Sequence, residues 1–276
     1  MTQSQATATH ASENSIPAAG TSSAPGLSTF APGLALLPRG LRADVRSLYG
    51  ALRTLDDLVD EDRPQASLRV EAVERWARGE SAESPEVDVL RDLCARTSLA
   101  PDVFLELCQG MRHDIARSPI ETEDDLALYC RRVGGAVGIM LAQLFGTSHP
   151  DGEVKMAILG TAMQLTNILR DIDEDAGHGR VYIARSTIER FGPPVPGGRA
   201  QLLRDQIATA DALYEAGLSA IGQLVQGRQS MALSAALYRE ILRQIEREGF
   251  GRRAGCVAVP AWRRHLIIAR QRLGAG

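Results

Sequence analysis

Cysteine, aromatic rings and long apolar runs are all scarce in this chain, and each scarcity excludes something. The four cysteines, Cys94, Cys108, Cys130 and Cys256, contain no CxxC pair, and each lies in or beside an apolar stretch. They are expected as buried free thiols in a reduced, cytoplasmic compartment. No apolar run approaches the ~18 residues that span a bilayer, so a lipid substrate would be met from the water side. Peripheral membrane contact for product release stays open. The first 26 residues have no Arg or Lys and few large apolar side chains. Neither a secretory signal nor a transit peptide is expected from such a segment, and it is expected to be disordered. Neither charge sign dominates: 31 basic against 34 acidic residues leave a net charge of −3, with no global attraction for nucleic acid or an anionic membrane, so any anion binding must come from local sites. No run of alternating β-branched residues is long enough for a sheet, no internal repeat is detectable, and no Gly-rich dinucleotide fingerprint occurs.

What the chain does have is helical periodicity. Leu41, Val45, Leu48, Leu52, Leu55 and Val59 recur in steps of four and three, which predicts a long helix from Arg39 to about Glu61, with Pro38 just before it. Further helices are expected at about 67–78, 86–97, 101–116, 123–145, 153–173, 199–226 and 230–248, and one after Pro260. The stretches Gly79–Pro85 and Gly192–Gly198 read as loops. Gly134, Gly135 and Gly138 fall inside one expected helix, where each costs about 1 kcal/mol relative to alanine. Close approach of a ligand or of another helix, or a kink, would explain them. The fold class is all-α.

Two acidic constellations carry the chemistry. Asp56 and Asp60 are one helical turn apart and share a face, with Arg53 one turn earlier. Paired carboxylates repel each other unless a cation sits between them, and hard oxygen ligands beside substrate phosphates suit Mg²⁺. Alone, this reads as readily as a solvated acidic helix end. Gln164, Asn167, Asp171 and Asp175 form a second stripe, opposite an apolar face of Ile158, Ala162, Leu165, Leu169 and Ile172. Two such helices facing across a bundle could hold several Mg²⁺ ions and neutralise a departing diphosphate. The excess of aliphatic over aromatic residues, aromatics being 4%, suits a prenyl tail.

Five segments, in order from about Ser28 to Glu248, resemble the squalene/phytoene synthase family. They are Ser28-Thr-Phe30 with Leu36-Leu37-Pro38; Tyr49, Arg53 and Asp56-Asp57-Leu-Val-Asp60; Gly110-Met111-Arg-His-Asp114; Tyr129-Cys-Arg-Arg-Val133-Gly-Gly135-Ala-Val-Gly138; and Gln164-Leu-Thr-Asn167-Ile-Leu-Arg170-Asp171 through Asp175 to Gly179-Arg180-Val-Tyr182. The resemblance implies one isoprenoid-synthase-type helical bundle with a central cleft over residues 27–276. It also implies head-to-head condensation of two C15 or C20 prenyl diphosphates through a cyclopropyl intermediate. On that pattern Asp56, Asp60, Asn167, Asp171 and Asp175 would coordinate two or three Mg²⁺ ions. Arg53, Arg170 and Arg180 would contact diphosphate, with Gln164 beside them, and Ser28 would close the N-terminal side. Tyr129 and Tyr182 would stand at the reacting carbons or the diphosphate, with Asp56 and Asp171 as the catalytic carboxylates. Gly134, Gly135 and Gly138 would make room for a prenyl chain.

Tyr49 fits a core or a pocket equally well, Asp114 a cleft or a cap, and His113 is expected at the surface. Leu52, Gly134 and Ala184 replace the family's usual Cys, Ala and Pro. These departures keep a rival in view: ionisation and cyclisation of a single allylic diphosphate, as in class I terpene synthases. NADPH would be needed only for a squalene product, and the missing dinucleotide fingerprint leans toward a non-reductive one.

Overall fold

The computed structural model describes residues 25–273, all of whose regular elements are helical. They are α1 (Pro25–Leu34), α2 (Arg39–Asp60), α3 (Ala66–Ala77), α4 (Pro85–Arg96), α5 (Val103–Ile115), α6 (Glu123–Cys130), α7 (Ala136–Phe145), α8 (Gly152–Gly177), α9 (Arg185–Phe191), α10 (Ala200–Gly217), α11 (Ser219–Gln223), α12 (Arg228–Arg247) and α13 (Ala261–Leu273). A single bridge joins Thr147 and Leu224. The disorder expected over 1–26 falls, for residues 1–24, outside the described residues. No helix among the described residues is long and apolar enough to cross a membrane.

Local chemistry sets the helix ends. Ser84 accepts from the Val87 amide at 3.1 Å, and Pro85 occupies the first turn of α4, where its missing N–H costs nothing. Thr122 and Asp125 form a reciprocal capping box at α6. The helix expected from Arg199 to Gln226 stops at Gly217, where α10 meets α8 so closely that a Cβ would lie 2.7 Å from the Leu159 amide nitrogen. The short helices α1 and α9 were not expected.

α8 is the hub. It packs against α6, α7, α10, α11 and α12, so its N-terminal half is buried nearly all round rather than on one face. The expected helix over 123–145 is one continuous run, but Arg131–Gly135 is a π-turn between α6 and α7. Its cause is close packing. A Cβ on Gly134 would sit 2.4 Å from the Gly160 carbonyl oxygen, and one on Gly138 would sit 2.2 Å from that of Met156. The glycines therefore let two backbones touch.

Candidate diphosphate and metal site

A cavity of about 610 Å³ opens between α2 and α8. Its deep part is aliphatic, with Leu48, Leu107, Leu141, Met156, Met163 and Met231. Its mouth is polar, with Arg53, Asp56 and Asp60 on the α2 side and Gln164, Asn167, Arg170, Asp171 and Asp175 on the α8 side. Arg180 and Tyr182 enter from the segment after α8.

On α2, the Arg53 guanidinium donates to Asp56 Oδ2 at 3.1 Å and pairs with Asp57 Oδ1 at 2.5 Å. The Arg180 guanidinium pairs with Asp60 and donates to the Val59 carbonyl at 2.9 Å. The Asp56 carboxylate looks into the cleft between enclosing walls. That enclosure pushes its pKa up to about 7; Asp60 adds to the rise and Arg53 opposes it.

On α8, Arg170 is buried and donates to both Asp171 carboxylate oxygens, at 2.7 and 2.5 Å. Burial, then Asp171 and then Asp60, raise Asp175 to about 7. Asp60 stands on the opposite helix, so the two motifs sense each other's charge across the mouth. The Asn167 Oδ1 and the Arg170 Nη1 are both buried without a hydrogen-bond partner. An acceptor oxygen of that kind among crowded carboxylates suits a hard divalent cation, and an unused guanidinium N–H beside it suits an anionic oxygen. The residues present thus fit Mg²⁺ and a diphosphate.

A third group joins the two walls. Asp114 on α5 accepts from the Tyr129 hydroxyl at 3.0 Å through Oδ2, and from the Tyr182 hydroxyl at 2.9 Å through Oδ1. The two phenol rings stack with centroids 4.9 Å apart and an interplanar angle of 23°. Burial raises the Asp114 pKa to about 6 against the pull of both hydroxyls, and it holds both phenols well above their usual pKa. Asp114 is therefore a cleft residue rather than merely a cap on a neighbouring group, and Tyr49 also lines the cavity.

Several expectations need correction. Gly135, expected at the substrate, faces α8 instead: a Cβ there would meet Thr161 Oγ1 at 3.0 Å and the Ala157 carbonyl at 3.2 Å. Gly134 and Gly138 do border the cavity, but their close contacts are with the α8 backbone. His113 is half-buried, not on the surface, with its ring 5.2 Å from that of Tyr129. Cys256 is exposed rather than buried, and its thiol donates to Asp171 Oδ1 at 3.2 Å. The Ser28 side chain lies outside the described residues. The remaining site residues expected from sequence all line the one cavity.

Sequence reasoning missed Tyr238, which lines the cavity and hydrogen-bonds the Asn167 side chain. It also missed Asp173, which the buried Arg199 holds bidentately at 2.5 and 2.7 Å. The Gly255 amide donates to the same carboxylate at 2.7 Å, tying the 251–256 strap to the acidic end of α8. No spacing in the sequence signals either contact, because the partners lie far apart in the chain.

The squalene/phytoene synthase family profile matches residues 25–263. A phytoene synthase of Thermus thermophilus is 35% identical over 244 residues, covering 83% of this chain and 82% of that protein. A presqualene diphosphate synthase of Zymomonas mobilis is 33% identical over 222 residues, covering 74% and 76%. Among solved structures, a dehydrosqualene synthase in complex with ligand superposes with a TM-score of 0.79 at 27% identity, covering 90% of this chain and 92% of the other.

Proposed function

The chain belongs to the squalene/phytoene synthase family of head-to-head prenyltransferases, and from that premise we propose a Mg²⁺-dependent condensation of two C15 or C20 prenyl diphosphates. The observation that supports it is the pairing of two aspartate motifs across the mouth of one cavity with an aliphatic interior. In the first stage the allylic C–O bond of one substrate breaks and its diphosphate leaves. The carbon so exposed bonds to the double bond of the second substrate. Loss of one proton closes a cyclopropane that still carries the second diphosphate. Expulsion of that diphosphate and ring opening leave an allylic cation, which becomes the neutral hydrocarbon by losing a second proton (phytoene or dehydrosqualene type) or by taking a hydride from NADPH (squalene type).

Asp56, Asp60, Asn167, Asp171 and Asp175 would hold Mg²⁺, which when bound supplies neutralisation of the diphosphate charge. Arg53, Arg170 and Arg180 would orient the phosphate oxygens; guanidinium forks suit that geometry. Their present aspartate partners keep all three aimed at the mouth. Tyr129 and Tyr182 would meet the reacting carbons, with their hydroxyls fixed on Asp114 and their rings presenting π-faces to developing positive charge. The aliphatic interior excludes water that would otherwise quench that charge.

The experiment is incubation of the full chain with Mg²⁺ and C10, C15 or C20 diphosphates, with and without NADPH. Product mass and released diphosphate are both measured. A product of twice the carbon number with two diphosphates released supports complete condensation. One diphosphate per product marks a stop at the cyclopropyl stage, the product for which the Zymomonas relative is named. A product no larger than its substrate would refute condensation in favour of single-substrate cyclisation.

A further inference from the structure

After Glu248 the chain contains six arginines, Arg252, Arg253, Arg263, Arg264, Arg270 and Arg272, and no Asp or Glu, although the whole chain carries −3. Its last element, α13, packs on α12, and none of its described residues is fully buried. Ile267 and Ile268 are half-buried. At 100° per residue, Trp262, Leu266 and Ala269 fall on one narrow stripe turned away from them. Trp262 is 60% exposed and Leu266 43%. Exposed Arg270 borders this stripe on one side and exposed His265 on the other. The Arg263 guanidinium lies 4.5 Å from the Trp262 ring centroid, so a cation accompanies the indole.

An exposed indole and leucine edged by arginines is the composition of a helix that lies in a membrane interface. We propose that α13 docks this protein peripherally on an anionic phospholipid surface, with Trp262 and Leu266 at the headgroup–acyl boundary and the arginines over lipid phosphates. Charge decides between this and other occupants. Arg263 is paired with Glu240 at 3.6 Å, but a second copy would still bring Arg264 and Arg270 up against their own counterparts, and like charges in contact cost energy. Residues 1–24 offer one acidic residue, Glu13, and few large apolar side chains to fill the stripe. A nucleic acid would satisfy the arginines but leave the leucine unpaired. The strap leading into α13 carries Cys256, which touches Asp171, so the docking helix is joined to the cavity mouth by a few residues.

The test is co-sedimentation of the full-length protein with vesicles of mixed phosphatidylglycerol and phosphatidylcholine, and with phosphatidylcholine alone. Tryptophan emission and light scattering are recorded in parallel. The expected result is salt-sensitive binding to the anionic vesicles only, with a blue shift. The shift comes from Trp262, because the other tryptophan, Trp76, is packed against Phe104. Trp262→Ser/Leu266→Ser should lose the shift and at least ~10-fold in partitioning, and Arg270→Gln about fivefold. Turnover of detergent-solubilised prenyl diphosphate should be unchanged in the double variant, which shows that it folds. Absence of vesicle binding, or undiminished binding by the double variant, would overturn the proposal. So would a dimer that the double variant abolishes, or binding of RNA without binding of vesicles. The vesicle assay reads adsorption alone, so its outcome is independent of which reaction the cavity performs.

Discussion

Replacing Arg199 with methionine is the sharpest probe of the strap that closes over α8. The Arg199 side chain is 4% exposed and its partner Asp173 19%, so neither is solvated well enough to tolerate separation. Arg199 also donates to the carbonyls of Pro194, at 3.1 Å, and Arg253, at 3.2 Å. It therefore joins the 192–198 loop, the strap and α8 in one knot. Methionine keeps the apolar stem but leaves the Asp173 carboxylate with only the Gly255 amide. Stranding one partner of a buried ion pair costs about 3–5 kcal/mol. At about 2–4 °C per kcal/mol for chains near this length, Tm should fall by roughly 6–20 °C. Replacing both partners, as Arg199→Met/Asp173→Leu, should recover most of that loss, because an apolar pair of similar volume leaves no charge uncompensated. Urea titration gives the stabilities, with an unchanged m-value as the check that the unfolding reaction is the same. A single variant within about 1 kcal/mol of wild type, or a double variant no better than the single, would refute the account.

Four further outcomes follow. Gly134→Ala should destabilise by about 1–3 kcal/mol, because the 2.4 Å contact is with the Gly160 carbonyl, which cannot swing aside. Gly50→Ala, where a Cβ meets nothing within 4 Å, should be neutral or stabilising by up to about 1 kcal/mol. Asp171→Asn should reduce diphosphate release at least ~100-fold and abolish the Tm increase given by Mg²⁺ alone; an unchanged Mg²⁺ response would remove Asp171 from the ligand set. Asp114 is held up to about 6 from an ordinary 3.8, so the folded state keeps its proton where the unfolded chain has lost it. Wild-type stability from this group therefore declines as pH rises from about 4 to about 6. Asp114→Asn should show a shallower decline in a Tm-versus-pH series, the remainder coming from Asp56 and Asp175, which are held up to about 7, and a parallel slope in both proteins would refute the assignment to Asp114.

The sequence by itself determined the helical class, most helix boundaries and most of the polar rim of the site. That follows because helix periodicity and the i,i+3,i+4 placement of Asp56–Asp60 and Gln164–Asp175 are local properties of the chain. α2 begins at Arg39, as the step of Leu41, Val45 and Leu48 requires. What only the tertiary structure decided is which groups meet. The glycines of 134–138 fit either a ligand or a helix neighbour until α8 is seen pressed against them. Asp114 was as good a cap as a cleft residue until two hydroxyls, one from α6 and one from the segment after α8, converged on it. Cys256 belonged among the buried thiols until the Arg199–Asp173 knot turned its strap back onto Asp171. Contacts of that kind join residues tens of positions apart, and they depend on how helices pack rather than on how each one forms.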